Sequence, residues 1–148
     1  MVSLYKQSVS HFTRKWYPDS FGHVRSAGSL KLSGFYSPVV AEAVAILHGV
    51  RLAFDSGLSL LLVESDALGV INVLKGSVVP SSDLGLIISD IFFVCNRFNV
   101  LGFPFIPRKG NMVANALAKG AISSDANVVW THCCLPLVEV LVQTDFPD

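Results

Sequence analysis

The chain has 148 residues, equal numbers of basic and acidic side chains, 51% apolar residues and 15% charged ones. That length favours one domain with a real core, and the apolar content excludes a disordered chain. Zero net charge excludes strong sequence-independent attraction to phosphate unless the basic residues cluster.

The elements follow in chain order. Ser8–Trp16 and Val24–Leu32 read as two strands, and the turn composition of Pro18-Asp19-Ser20-Phe21-Gly22 between them makes the pair a hairpin. Ser33-Gly34 ends the second strand. Ser37-Pro38 is a helix start, since Ser caps and Pro suits the first helical position. Val40, Ala43, Val44, Leu47, Val50 and Phe54 then recur at helical spacing as one stripe, and Gly57 stops the helix. Ser59–Glu64 is a nearly continuous apolar run, the pattern of a strand buried on both faces.

Ala67–Leu74 reads as a short helix ended at Gly76. Ser81-Ser82-Asp83 opens a longer one reaching about Phe98, with Leu84, Ile87, Ile88, Ile91 and Val94 as its stripe. Asn99–Ile106 is strand-like. Asn111 to about Ile122 is helical, with Val113, Ala116 and Leu117 inward. Beyond Asp125 the tail is apolar and broken by proline, and its pattern assigns no element. Strands alternating with helices define an α/β class with a mixed sheet. There are no internal repeats.

No apolar run approaches the roughly 20 residues that span a bilayer. Met1–Gln7 has no apolar stretch of the signal-peptide kind, so the expected address is intracellular, nuclear or cytoplasmic, without a membrane partner. Cys95, Cys133 and Cys134 form no CxxC pair, and His11, His23, His48 and His132 are scattered. This spacing argues against a zinc site and against a disulfide framework; reduced cysteines in or near a core are the expectation.

Three positions are candidates for chemistry. Glu42 falls in the first turns of the long helix, on the flank of its stripe, where a carboxylate either faces the edge of a sheet or simply favours the helix dipole. Asp66 follows the apolar strand directly, within Val63-Glu64-Ser65-Asp66; the carboxyl end of a central strand is where α/β folds place ligands. Asp66 also suits the cap of the helix starting at Ala67. Glu64 shares the phase of Asp66 only if the strand continues. Asn115 lies inside the late helix, where Asn is a poor former.

Taken as an ordered set, three stretches resemble the plant-type ribonuclease H domain found in reverse-transcriptase-related proteins: Ser37–Ala45 around Glu42, Leu61–Asp66, and Ile106–Lys119 around Asn115. The turn Asp19–Gly22 resembles the family's hairpin turn. The likeness runs from Pro18 to the end. It implies residues 1–17 as an atypical N-terminal segment and 18–148 as an RNase H-like domain, with an apolar tail from about 126. The implied fold is a mixed sheet flanked by helices. The implied activity is Mg²⁺-dependent hydrolysis of the RNA strand of an RNA–DNA hybrid. In it, four carboxylates hold two ions roughly 4 Å apart, oxygen donors being what Mg²⁺ prefers. Glu42 then matches the helix glutamate and Asp66 the aspartate after the central strand, both as metal ligands.

Two carboxylate positions depart from the family. The first aspartate belongs to an opening strand that lies between the hairpin and the buried strand. Only 17 residues precede Pro18, and none is Asp or Glu, so that strand is missing or replaced, with Val2–Val9 as its stand-in. Without it, an unpaired edge is an association hazard. The last carboxylate falls at Asn115, a neutral carbonyl, and Phe105 lies near the place where many members carry a His. Two dications would face two carboxylates, so the resemblance implies impaired cleavage and, at most, one weakly held Mg²⁺. Arg108, Lys109 and Lys119 are the candidate nucleic-acid contacts, at a basic loop entering a helix N-terminus; a solvated surface is the plain alternative. A non-catalytic nucleic-acid-binding module and a remnant without a role are the other readings.

Overall fold

Val9–Arg14 (β2), with Val9, Phe12 and Thr13, and Val24–Leu30 (β3), which alternates loosely between apolar and small or polar residues, are strands that pair antiparallel as the expected hairpin. The computed structural model describes residues 2–3, 9–14, 24–30, 36–76, 78–110 and 128–131. The turn at Pro18–Gly22, the late helix from Asn111 and therefore Asn115 and Lys119 lie outside them. A two-residue strand, Val2–Ser3 (β1), pairs antiparallel with β2 on the edge away from β3, through Val2 opposite Thr13 and Ser3 opposite Phe12. The tail contributes a strand as well: Val128–Thr131 (β6) runs antiparallel to the outer edge of β3. The four-stranded sheet has the order β1-β2-β3-β6.

Pro38–Asp55 (α1) starts where Ser37 caps it, the Ser37 hydroxyl accepting from the Val40 N–H at 3.4 Å with Pro38 at the first helical position. It ends in a Schellman motif: the Leu58 N–H donates to the Ala53 carbonyl at 3.1 Å and the Gly57 N–H to the Phe54 carbonyl at 2.9 Å. This closure places Gly57 at φ 71°, a conformation that a side chain disfavours. The buried face is broader than the expected stripe. Ala41, Ala43, Ala45, Ile46, Leu47, Val50 and Ala53 are buried, whereas Val44 is half-buried and Phe54 is exposed. The reason is that α1 packs against more than one layer, touching β2 and β3 of the sheet as well as the helices that follow, so small residues are needed beside the large ones. Glu42 falls in the second turn; the first turn holds no acidic residue, which removes the helix-dipole reading.

Leu60–Leu62 (β4) and Asn99–Gly102 (β5) form a separate parallel pair, with Leu60 opposite Asn99 and Leu61 opposite Val100. A parallel pair needs a crossover, supplied here by Leu68–Lys75 (α2) and Asp83–Cys95 (α3). β4 is shorter than the apolar run and is not buried throughout, because Leu60 at its start is 52% exposed. Further along, Leu61, Val63 and Ser65 are buried, and among the described strands β4 pairs with β5 alone. One core joins Ile46 and Val50 of α1, Leu61 and Val63, Val70 and Ile71 of α2, and Ile88 and Ile91 of α3. Cys95 closes α3 in this core, and burial pushes its thiol up to about 11. His48 on α1 is held below its ordinary pKa, first by burial and then by the Arg51 charge. No described helix is long and apolar enough to cross a membrane.

Gly85, in the first turn of α3, sits where a Cβ would overlap the Pro80 carbonyl, so the Pro80–Ser82 approach depends on the missing side chain. Gly→Ala inside a helix ordinarily stabilises by about 1 kcal/mol. Here the sign reverses: Gly85→Ala is expected to lower unfolding free energy by about 1–3 kcal/mol, read by urea denaturation.

Candidate metal and nucleic-acid site

The strand geometry of β4 continues beyond its last ladder residue. An isolated parallel bridge joins Ser65 to Phe105. The Ile106 N–H donates to the Ser65 carbonyl at 3.0 Å, and the Ser65 N–H donates to the Pro104 carbonyl at 3.4 Å. Burial alternates accordingly: Leu61, Val63 and Ser65 are buried, while Leu62, Glu64 and Asp66 are half-buried. Period two therefore puts Glu64 in phase with Asp66, the case the sequence left open.

Ser65 is fully buried, and its hydroxyl accepts from the Ala67 N–H at 3.1 Å. That bond turns the chain out of the strand immediately after Asp66. The N-cap position of α2 is Ala67, which offers no side-chain cap, rather than Asp66. The signal for Ser65 was present in Glu-Ser-Asp: a Ser next to the first residue of a helix is a local backbone acceptor. Its importance was hidden because acidic neighbours drew the chemistry.

Glu42 is half-buried on α1, and its Oε2 atom is buried. Glu42 lies in the second turn of α1, and Asp66 directly follows the bridged Ser65 at the carboxyl end of the β4 segment. Among the described residues no group of three or more His, Cys, Asp or Glu side chains is arranged to hold a metal ion. The donor set that remains, two half-buried carboxylates with oxygen ligands, suits a single hard cation.

Arg108–Gly110 forms one turn of 3₁₀ helix after β5, with the Gly110 N–H donating to the Pro107 carbonyl at 2.8 Å. Arg108 and Lys109 are both exposed there. Phe105, in register with Ser65, is 40% exposed. The sequence reading missed a second cluster, in which the Arg97 guanidinium lies 5.0 Å from the Phe54 ring centroid and 5.7 Å from that of Phe93. These residues come from two helices, so no linear motif announces them.

The fold is that of RNase H. RNase H1 from the halophilic archaeon Halobacterium salinarum superposes with a TM-score of 0.68 at 22% identity, covering 84% of this chain and 98% of that one. The N-terminal RNase H domain of a Mycobacterium tuberculosis protein, determined as a fusion with maltose-binding protein, superposes with a TM-score of 0.61 at 20% identity, covering 81% and 97%. No curated protein matches the sequence. Residues 18–121, more than half of the chain, match the reverse transcriptase-like family, and the chain belongs to that family as an RNase H-like domain.

The Ser65 turn is open to direct test. Ser65→Ala leaves the Ala67 N–H without its acceptor and is expected to cost about 1–3 kcal/mol of stability in chemical denaturation. Ser65→Thr, which keeps the hydroxyl, is expected to recover part of that loss.

Proposed function

We propose that the chain is an RNase H type-1-like nucleic-acid-binding domain that engages RNA–DNA hybrid or RNA and is impaired in cleaving it. The observation that carries this reading is the RNase H-like fold with two half-buried carboxylates, Glu42 in the second turn of α1 and Asp66 directly after the bridged Ser65. By the family resemblance, its last carboxylate position falls at the neutral Asn115.

Glu42 and Asp66 are the residues that would hold Mg²⁺, as one weakly bound ion. When bound, such an ion supplies Lewis-acid polarisation of a phosphate oxygen and a more acidic water. The chain's own contribution is to present two oxygen donors on rigid elements. Asp66 is fixed by the Ser65 turn, and Glu42 by a helix buried along most of its length. Arg108 and Lys109 on the exposed 3₁₀ turn, with Lys119 beyond it, are the proposed phosphate contacts. Their fixed charges favour binding without requiring catalysis, which supports the non-catalytic binding module as the second reading.

Binding and cleavage of a labelled RNA–DNA hybrid, measured at two salt concentrations with Mg²⁺, test this directly. The expected result is salt-sensitive binding with little or no cleavage. Arg108→Ala and Lys109→Ala should each weaken binding and reduce the salt slope by about 1. Efficient Mg²⁺-dependent cleavage that disappears in Asp66→Asn would overturn the impairment. Absence of any salt-dependent binding would overturn the function itself.

A further inference from the structure

At the C-terminal ends of α1 and α3 lies a cleft of about 290 Å³ lined by Arg51, Phe54, Asp55, Asp90, Phe93 and Arg97, together with Val94. It is remote from the proposed cation ligands: Arg51–Asp55 lie 9 to 13 residues beyond Glu42, which is roughly 14–20 Å along the α1 axis. Phe93 is 67% exposed and Phe54 is 41% exposed. Phe54 also meets Phe98 edge to face, with ring centroids 6.0 Å apart. Arg97 therefore does not wave in solvent; two rings hold its guanidinium in place.

The pattern along α3 shows what fits this surface. Leu86, Asp90 and Phe93 recur at helical spacing on the solvent side, and Arg97 follows four residues later, just past the helix end. Leu86 is 71% exposed. Large apolar groups are thus interleaved with one acid and one base along a single face. If two such faces meet antiparallel about a two-fold axis beside Phe93, Asp90 of each copy falls opposite Arg97 of the other. Both ion pairs form at once, and the Phe93 rings meet near the axis. A surface carrying its own complement is what an isologous dimer requires. Exposed Phe and Arg at the centre are the residue types that anchor interfaces. Zero net charge adds no long-range repulsion between copies.

We propose that the α1/α3 cleft is the contact surface of a homodimer, with a second copy of this chain as its occupant. The proposal stands independently of nucleic-acid binding, since it uses none of Glu42, Asp66, Arg108, Lys109 or Lys119.

Sedimentation velocity of the intact chain across a concentration series tests it, with circular dichroism confirming that each variant is folded. The wild-type chain is expected to pass from monomer to dimer and to stop at two copies. Phe93→Glu should weaken the dimer by about tenfold or more. Asp90→Arg alone and Arg97→Asp alone should each be monomeric, because each sets like charges opposite one another. Their equimolar mixture should dimerise, because both cross-pairs become attractive again. A monomer at every concentration, assembly beyond two copies, a dimer indifferent to Phe93→Glu, or a mixture no more dimeric than its parts would each overturn the proposal. Dimers that form only with added hybrid would do so as well, and would make nucleic acid the occupant.

Discussion

The parallel pairing of β4 with β5, carried forward to the Ser65–Phe105 bridge, is the constraint on which the rest of the molecule depends. Two parallel strands cannot be joined by a tight turn, so the pairing requires a crossover, and α2 and α3 supply it. Once they do, Val70, Ile71, Ile88 and Ile91 have apolar surface to bury, and Ile46 and Val50 of α1 complete the layer. Burying an aliphatic side chain of this size contributes about 1.5–3 kcal/mol. The same pairing fixes Asp66. It holds Ser65 through two main-chain hydrogen bonds and leaves the Ser65 hydroxyl to turn the chain. The position of Asp66 and the core are therefore coupled through one buried serine.

Much of this was legible in the sequence where the signal is local. Ser37-Pro38 and Gly57 mark the ends of α1 because capping is a matter of a few neighbouring backbone groups. The hairpin β2–β3 was legible from a mixed polar and aromatic stretch and a loosely alternating one on either side of a turn-forming composition. Faces were less legible. A single stripe of Val40, Ala43, Val44, Leu47, Val50 and Phe54 assumes one neighbour, but α1 has several, so Ala41, Ala45, Ile46 and Ala53 are buried as well. Phe54 leaves the core and joins Phe98 and Arg97 at the surface. The strand β6 was not legible at all, because its pairing with β3 spans about a hundred residues and periodicity carries no information on so distant a partner.

The candidate site was half legible. Glu42 and Asp66 were proposed from type and position, and the family match over residues 18–121 spans the stretches that contain them. Single residues misled where two roles competed: Asp66 looked like a helix cap, yet Ser65 turns the chain and Ala67 begins the helix. Glu42 looked like a dipole partner, yet it lies a turn too deep.

The central proposal is that this reverse transcriptase-like chain with an RNase H-like fold would hold one weakly bound Mg²⁺ through Glu42 and Asp66. Backbone amide NMR of the intact chain during a Mg²⁺ titration addresses it most directly. One weakly bound ion should perturb amides around Glu42 and Ser65–Ala67, and the perturbation should vanish in Asp66→Asn. Two bound ions, or shifts confined to residues elsewhere, would contradict the account.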